Sequence, residues 1–168
     1  MAAKRLFISK QWIPSILAAT GILAVLIILA GNETIMGGIQ RFLALTSSGI
    51  LNLFGQNTIV VGTTVQSSLF GISVVTACTG IFITGLFLIA VVAFPTRWRS
   101  RLIGAGIGIG GIFIVNIIRL VSLYFIGVHW PGFLDQAHQL IWQSLLIAIA
   151  VVLWLLWAGR WAHAPRTS

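Results

Sequence analysis

The sequence predicts an all-α polytopic membrane protein, with about four transmembrane helices, an interfacial amphipathic helix on the outer side and a small extracytoplasmic β-like hairpin. Three observations carry that prediction. Hydrophobic residues make up 58% of the 168 residues and charged residues only 7%, whereas ordinary soluble chains are about a quarter charged. Uncharged apolar runs of spanning length recur along the chain. Ten Lys and Arg against two acids give a formal charge of +8, and they gather at the ends of those runs rather than on one solvated face. That distribution excludes a nucleic-acid binder and makes the charges markers of topology. At about 20 apolar residues per span, the chain holds four or five helices in a single membrane domain, 1–168.

The first span, 13–30, is an uncharged run preceded by Lys4, Arg5 and Lys10, so it enters from the cytoplasm. It is longer than the apolar core of a secretory signal and reads as an uncleaved anchor. In 34–56, Ile35, Ile39, Phe42, Leu43, Ile50, Leu53 and Phe54 recur at near-helical spacing, interrupted by Gln40, Arg41, Ser47, Ser48 and Asn52. This pattern predicts an interfacial helix on the outer face rather than a fifth span. Residues 58–77 turn to Thr, Val and Ser, with Gln66, Ser67 and Ser68 between two β-like stretches, and predict an outer hairpin.

Three further spans follow at 78–94, 102–125 and 138–157. Arg97, Arg99 and Arg101 separate the first two of these, and Arg160 and Arg166 follow the last. With the N-terminal trio, eight of the ten basic residues then lie on one side, with Arg41 and Arg119 as exceptions. The split predicts four crossings with both ends cytoplasmic. Trp12, Trp98, Trp157 and Trp161 fall at the predicted inner interface and Trp130 at the outer, as aromatic belts do.

Within this layout three reactive side chains share one depth. Cys78 lies 17 residues before Pro95, Arg119 lies 17 after Leu102, and His138 lies 19 before Trp157. At about 1.5 Å per helical residue, each stands roughly 25 to 29 Å above the cytoplasmic end of its span. Each also has an ordinary reading. A lone membrane cysteine is usually a packing residue, an Arg near a helix end snorkels, and a His can simply begin a helix. Against the second reading, positive charge is otherwise depleted on this side, and an intramembrane charge points to function. His129 sits in a loop beside Trp130 and Pro131, and His163 lies on the cytoplasmic tail. Both are weaker partners for the thiol.

Chemically the trio is coherent. A thiolate is the attacking species, and a helix N-terminus with a nearby guanidinium favours it. His138 can take the thiol proton and return it to a leaving amine, while Arg119 holds an oxyanion or the thiolate. Asp135, three residues before His138, can orient the ring or cap the helix. Asn116, one turn before Arg119, can brace the guanidinium or donate to the oxyanion. The string Gly106, Gly108, Gly111 matches GxGxxG, but it lies inside an apolar span with no strand before it. Gly104, Gly106, Gly108, Gly110 and Gly111 instead offer small faces for close helix packing. A single cysteine, two acids and scattered histidines predict no disulfide, no metal and no cofactor.

The string Ala77-Cys78-Thr79-Gly80-Ile81 before an apolar helix and a basic loop, then Asn116-Ile117-Ile118-Arg119, then His138 opening a Trp-rich helix, resembles the exosortase and archaeosortase family over roughly residues 58 to 160. The size is similar to the compact forms, such as exosortase H. The resemblance implies a membrane-embedded cysteine peptidase or transpeptidase of the bacterial inner membrane, without cofactor. It also implies partners: membrane-anchored substrate proteins ending in a short motif, a transmembrane helix and a basic tail. The family's Cys, Arg and His carry over to Cys78, Arg119 and His138; some members have Arg where this chain has His138. The alternative is a non-enzymatic channel or transporter subunit in which Arg119 and His138 line a polar path. A structural subunit tolerates Ala at Cys78 and an enzyme does not.

Overall fold

A computed structural model describes residues 2–162, with side chains from residue 14 onward. His163 and Arg166 lie outside the described residues, as do the side chains of Lys4, Arg5, Lys10 and Trp12. The architecture is mostly helical with one small sheet. Helix α1 spans Ala2–Gly31 and α2 spans Glu33–Leu53. Strands β1 (Ile59–Val61), β2 (Thr64–Gln66) and β3 (Gly71–Ser73) follow. Then come α3 (Ile81–Ala93), α4 (Trp98–His129), the short α5 (Leu134–Gln136) and α6 (Gln143–Arg160). Three stretches, Pro14–Gly31, Trp98–His129 and Pro131–Arg160, are long and apolar enough to cross a membrane, and Ile81–Ala93 is apolar but shorter.

Helix α2 is set at its start by Asn32, whose side chain accepts from the Ile35 amide at 3.1 Å, with Glu33 in the positive first turn. Its buried face is Met36, Leu43, Ala44, Ser47, Ser48 and Leu51. Of the apolar residues expected along this helix, Leu43 is buried in the protein, whereas Ile35, Phe42, Leu53 and Phe54 are exposed on its surface. Ala44, Ser47 and Ser48 share the buried face with larger apolar residues where α2 packs on α4 and the sheet. The Ser48 hydroxyl meets that of Thr58 at 2.8 Å, and Asn52 receives the Thr58 amide and hydroxyl. This knot fixes where β1 begins.

The expected hairpin is a three-stranded antiparallel sheet of order β1-β2-β3. Gly62, at φ 62, opens a two-residue turn between Val61 and Thr64, the position where such turns need a left-handed residue. Ser67 turns the second corner by accepting the Leu69 and Phe70 amides and meeting the Tyr124 hydroxyl at 2.6 Å. Val65, Val74, Cys78, Leu43, Ala44, Leu51, Ile117, Leu120 and Tyr124 form one core beneath the sheet.

The spans also differ from expectation. Helix α3 begins at Ile81, so Cys78 precedes it, because Gly80 adopts φ 70 and breaks the helical path. Arg99 and Arg101 belong to the first turns of α4, which runs on to His129. The last helical stretch starts before His138, which sits in a π-helical segment, Ala137–Trp142. At the basic end, Trp157 donates from Nε1 to the Ser100 carbonyl at 2.8 Å, and the Ser100 hydroxyl donates to the Trp161 carbonyl at 2.6 Å. The start of α4 and the end of α6 are therefore clamped together.

The glycines of α4 divide by face. Trp157, Phe87 and Leu153 occupy the space a Cβ would need at Gly104, Gly108 and Gly111, while Gly106 and Gly110 face open space. Gly108→Leu is therefore expected to destabilise the protein by about 1–3 kcal/mol through overpacking. Gly106→Ala should be neutral or stabilising by up to about 1 kcal/mol, because Ala is the better helix former. Thermal unfolding in detergent separates the two. Equal melting temperatures would show that the close packing of Phe87 on α4 carries no stability.

Candidate active site

The turn that carries the thiol is built from local hydrogen bonds. Residues Thr76–Cys78 form a single 3₁₀ turn, in which the Cys78 amide donates to the Val75 carbonyl at 2.8 Å. The Thr79 hydroxyl donates to the Thr76 carbonyl at 2.7 Å and receives the Ile81 amide at 3.4 Å. Two neighbours pin this turn from outside. Asn116 Nδ2 donates to the Cys78 carbonyl at 2.6 Å, and Gln40 Nε2 donates to Thr76 Oγ1 at 3.2 Å. The nucleophile candidate is thus held by α4 on one side and α2 on the other.

The three predicted side chains converge. Cys78 is 3% exposed, and its Sγ lies 3.2 Å from His138 Nε2, within hydrogen-bond reach. The π-helical segment presents the ring, since its wider turn shifts side chains off the regular helical register. Arg119, one turn beyond Asn116, is 2% exposed and lines a cavity together with Thr76, Ala77 and Gly80 of the turn that carries the thiol. Its guanidinium makes no hydrogen bond or ion pair among the described residues, and its Nε is a buried donor with no partner. A buried guanidinium without a protein partner carries a desolvation cost that a bound anion would offset.

Second-tier candidates fall differently. Asn116 holds the Cys78 carbonyl and makes no hydrogen bond to the guanidinium among the described residues; its Oδ1 is buried without a partner. Asp135 is exposed and near enough to act electrostatically on His138, but no hydrogen bond joins them. His129 Nδ1 meets the Phe125 carbonyl at 2.9 Å, and its ring packs with Phe125 and Trp130. Gln40 is a functional candidate that in the sequence is only a break in an apolar pattern. A polar side chain inside that pattern is the available signal, but its partner Thr76 is 36 residues away.

Two small cavities flank the turn that carries the thiol. One, of about 140 Å³, is lined by Ile72, Ser73, Val75, Cys78, Leu123, Leu134, Asp135 and His138. The other, of about 240 Å³, is lined by Thr76, Ala77, Gly80, Ile81, Phe82, Ile83, Arg119 and Gln143. The Cys78 amide is already bonded to Val75, so the donor that a nucleophile's own backbone often lends to an oxyanion is engaged here. Arg119 is the cationic donor that remains. Among the described residues no cluster of His, Cys, Asp or Glu can hold a metal ion.

No curated protein and no solved structure matches the chain. A family model does match, described as Transmembrane exosortase (Exosortase_EpsH), over residues 5–157. That range takes in all of the turn, helix and π-helical features that bring Cys78, Arg119 and His138 together. The chain is therefore a multi-pass integral membrane protein that belongs to the transmembrane exosortases, a family of membrane-embedded sorting proteases that act on membrane-anchored substrates with C-terminal sorting signals.

Proposed function

We propose that this exosortase is a thiol peptidase or transpeptidase of the bacterial cytoplasmic membrane, and that it cleaves C-terminal tripartite signals of exported proteins at the outer membrane face. The observation that carries the reading is the 3.2 Å approach of Cys78 Sγ to His138 Nε2 beside a buried Arg119 with no other partner among the described residues. Cys78 gives its proton to His138, and the thiolate attacks the scissile carbonyl carbon. A tetrahedral oxyanion forms, and Arg119 stabilises it. The C–N bond then breaks as the leaving amine takes the proton back from His138, leaving a thioester on Cys78. Water or an acceptor amine attacks the thioester, loses its proton to His138, and restores the thiol. Asn116 and Gln40 act as positioning residues, through the Cys78 carbonyl and Thr76.

The outward orientation follows from charge. Arg97, Arg99, Arg101 and Arg160 collect at the end clamped by Ser100, Trp157 and Trp161, and the positive-inside rule puts that end in the cytoplasm. Four crossings result, with α3 as the shortest and α2 lying on the outer interface. Both chain ends are then cytoplasmic and the thiol lies at the opposite end of the bundle.

The test is co-expression with an exported reporter that ends in a short motif, one apolar helix and an Arg cluster, with a C-terminal tag. Wild-type enzyme should remove the tag and accumulate a hydroxylamine-sensitive adduct of the reporter on its single cysteine. Intact reporter for every such signal drawn from the host genome would overturn the reading.

A further inference from the structure

Strand β3 is an open edge that leads into the site. In the order β1-β2-β3 it has β2 on one side only. The phase of the ladder is set by two bonds at its ends, Ser67 amide to Phe70 carbonyl at 2.9 Å and Val74 amide to Thr63 carbonyl at 3.0 Å. Bonded pairs alternate along an antiparallel ladder. The main chains of Phe70, Ile72 and Val74 therefore turn toward β2, and those of Gly71 and Ser73 turn to the open side. Gly71 and Ser73 are exposed, whereas Ile72 packs inward on Val65. Exposed edges are normally blunted by charge or proline, yet no Lys, Arg, Asp, Glu or Pro occurs between Gln66 and Cys78.

The edge also has a destination. Ile72 and Ser73 line the same small cavity as Cys78 and His138, whose other walls include Val75, Leu123 and Leu134. A peptide laid along β3 therefore runs past Gly71 and enters, at Ser73, the cavity that holds the thiol. The peptide must be extended there. A helix ties its carbonyls to its own amides, whereas an extended segment presents free main-chain groups to a sheet edge and alternate side chains to the walls.

We propose that the substrate segment just ahead of the scissile bond binds as a fourth strand on β3, main chain to main chain at Gly71 and Ser73, and is delivered in that form to Cys78. The proposal rests on the peptidase reading above and specifies how the site takes its substrate. Selectivity then divides in two. Main-chain pairing accepts any extended, proline-free stretch at the paired positions, and Val75, Leu123 and Leu134 select an aliphatic side chain at the position facing the cavity.

Two experiments decide it. Ser73→Pro removes an edge amide that β2 does not use, at a position where proline is tolerated. Loss of one net hydrogen bond should lower kcat/KM about fivefold to tenfold. Alkylation of Cys78 by a small maleimide, which needs no strand, should keep its rate. In a Cys78→Ala background, Ser73→Cys becomes the single thiol, and a substrate carrying one cysteine is scanned through the motif. Disulfides should form at alternate motif positions, the period of a strand. Wild-type kcat/KM in Ser73→Pro, absence of cross-links, or cross-links recurring every three to four positions would each overturn strand pairing. If Ser73→Pro loses alkylation as well as processing, its fold is damaged and the disulfide pattern alone decides between pairing and its absence. Failure of the peptidase reading is distinct: Cys78→Ala would still process substrate, whatever the disulfide pattern.

Discussion

Cys78→Ala is expected to leave a tagged tripartite-signal substrate uncut, a loss on the order of 10⁴- to 10⁶-fold in turnover, as when a nucleophile is deleted. The substitution removes one sulfur atom from a residue 3% exposed in a core of aliphatic and aromatic neighbours, so expression and membrane insertion should survive. The hydrogen bonds that shape the turn are main-chain bonds of Cys78 to Val75 and Asn116, and they persist in alanine. An immunoblot for the substrate tag, paired with one for the enzyme, separates chemistry from folding. Substrate trimmed at the wild-type rate would eliminate the thiol mechanism and favour a structural membrane subunit. His138→Ala should fall in the same direction, whereas Asp135→Asn should keep measurable activity, because Asp135 is exposed and forms no hydrogen bond to the ring.

Arg119 should give effects of opposite sign on activity and stability. Arg119→Met deletes the cationic donor placed beside the thiol and should cost about 10²- to 10³-fold in turnover, the range for losing an oxyanion donor. Arg119→Lys should also be largely inactive, since a point charge does not reproduce the planar fork. Yet the guanidinium is 2% exposed, and its buried Nε has no partner among the described residues. Replacing a buried charge with an apolar side chain of similar volume is neutral to stabilising by about 1–4 kcal/mol. Arg119→Met should thus match or exceed the wild-type melting temperature while losing function. The Cys78→Ala background excludes a contribution from a thiolate pairing with Arg119, and the gain should be largest there. A drop of several degrees in both backgrounds would mean that the guanidinium stabilises the resting fold and does not stand in wait for an anion.

What is legible in the sequence is what depends on composition and local order. Apolar runs and the Arg97 to Arg101 cluster mark the helical spans and their basic end. The identities Cys78, Arg119 and His138, in family-like surroundings, mark the residues that the fold brings together. The remainder depends on single residues with nonlocal partners. Gly80 reads as helix or break until its left-handed φ is known. The first of the two β-like stretches divides into β1 and β2, because the turn at Gly62 shows only in its left-handed φ and in the pairing of Val61 with Thr64. The π-helical segment around His138 leaves no trace in apolar spacing, and Cys78 reaches the level of the other two side chains although it precedes its helix. For Asn116 the helical spacing gives the correct face, but not its partner, the Cys78 carbonyl across 38 residues of chain.

The shortness of α3 has a mechanical consequence. Its 13 residues rise about 20 Å, against a hydrocarbon thickness of about 30 Å, while the neighbouring 32-residue α4 rises about 48 Å. If α3 is a crossing, as proposed above, the lipid beside it compresses or dimples, at a cost of fractions of a kcal/mol per ångström of mismatch. Such a dimple draws the polar headgroup layer down toward the turn that carries Cys78. A peptide bond close to the top of a substrate's own membrane helix is then presented to the thiol without that helix being pulled out of the bilayer. The elastic energy of the leaflet takes the place of force on the substrate, and thicker membranes should slow the enzyme.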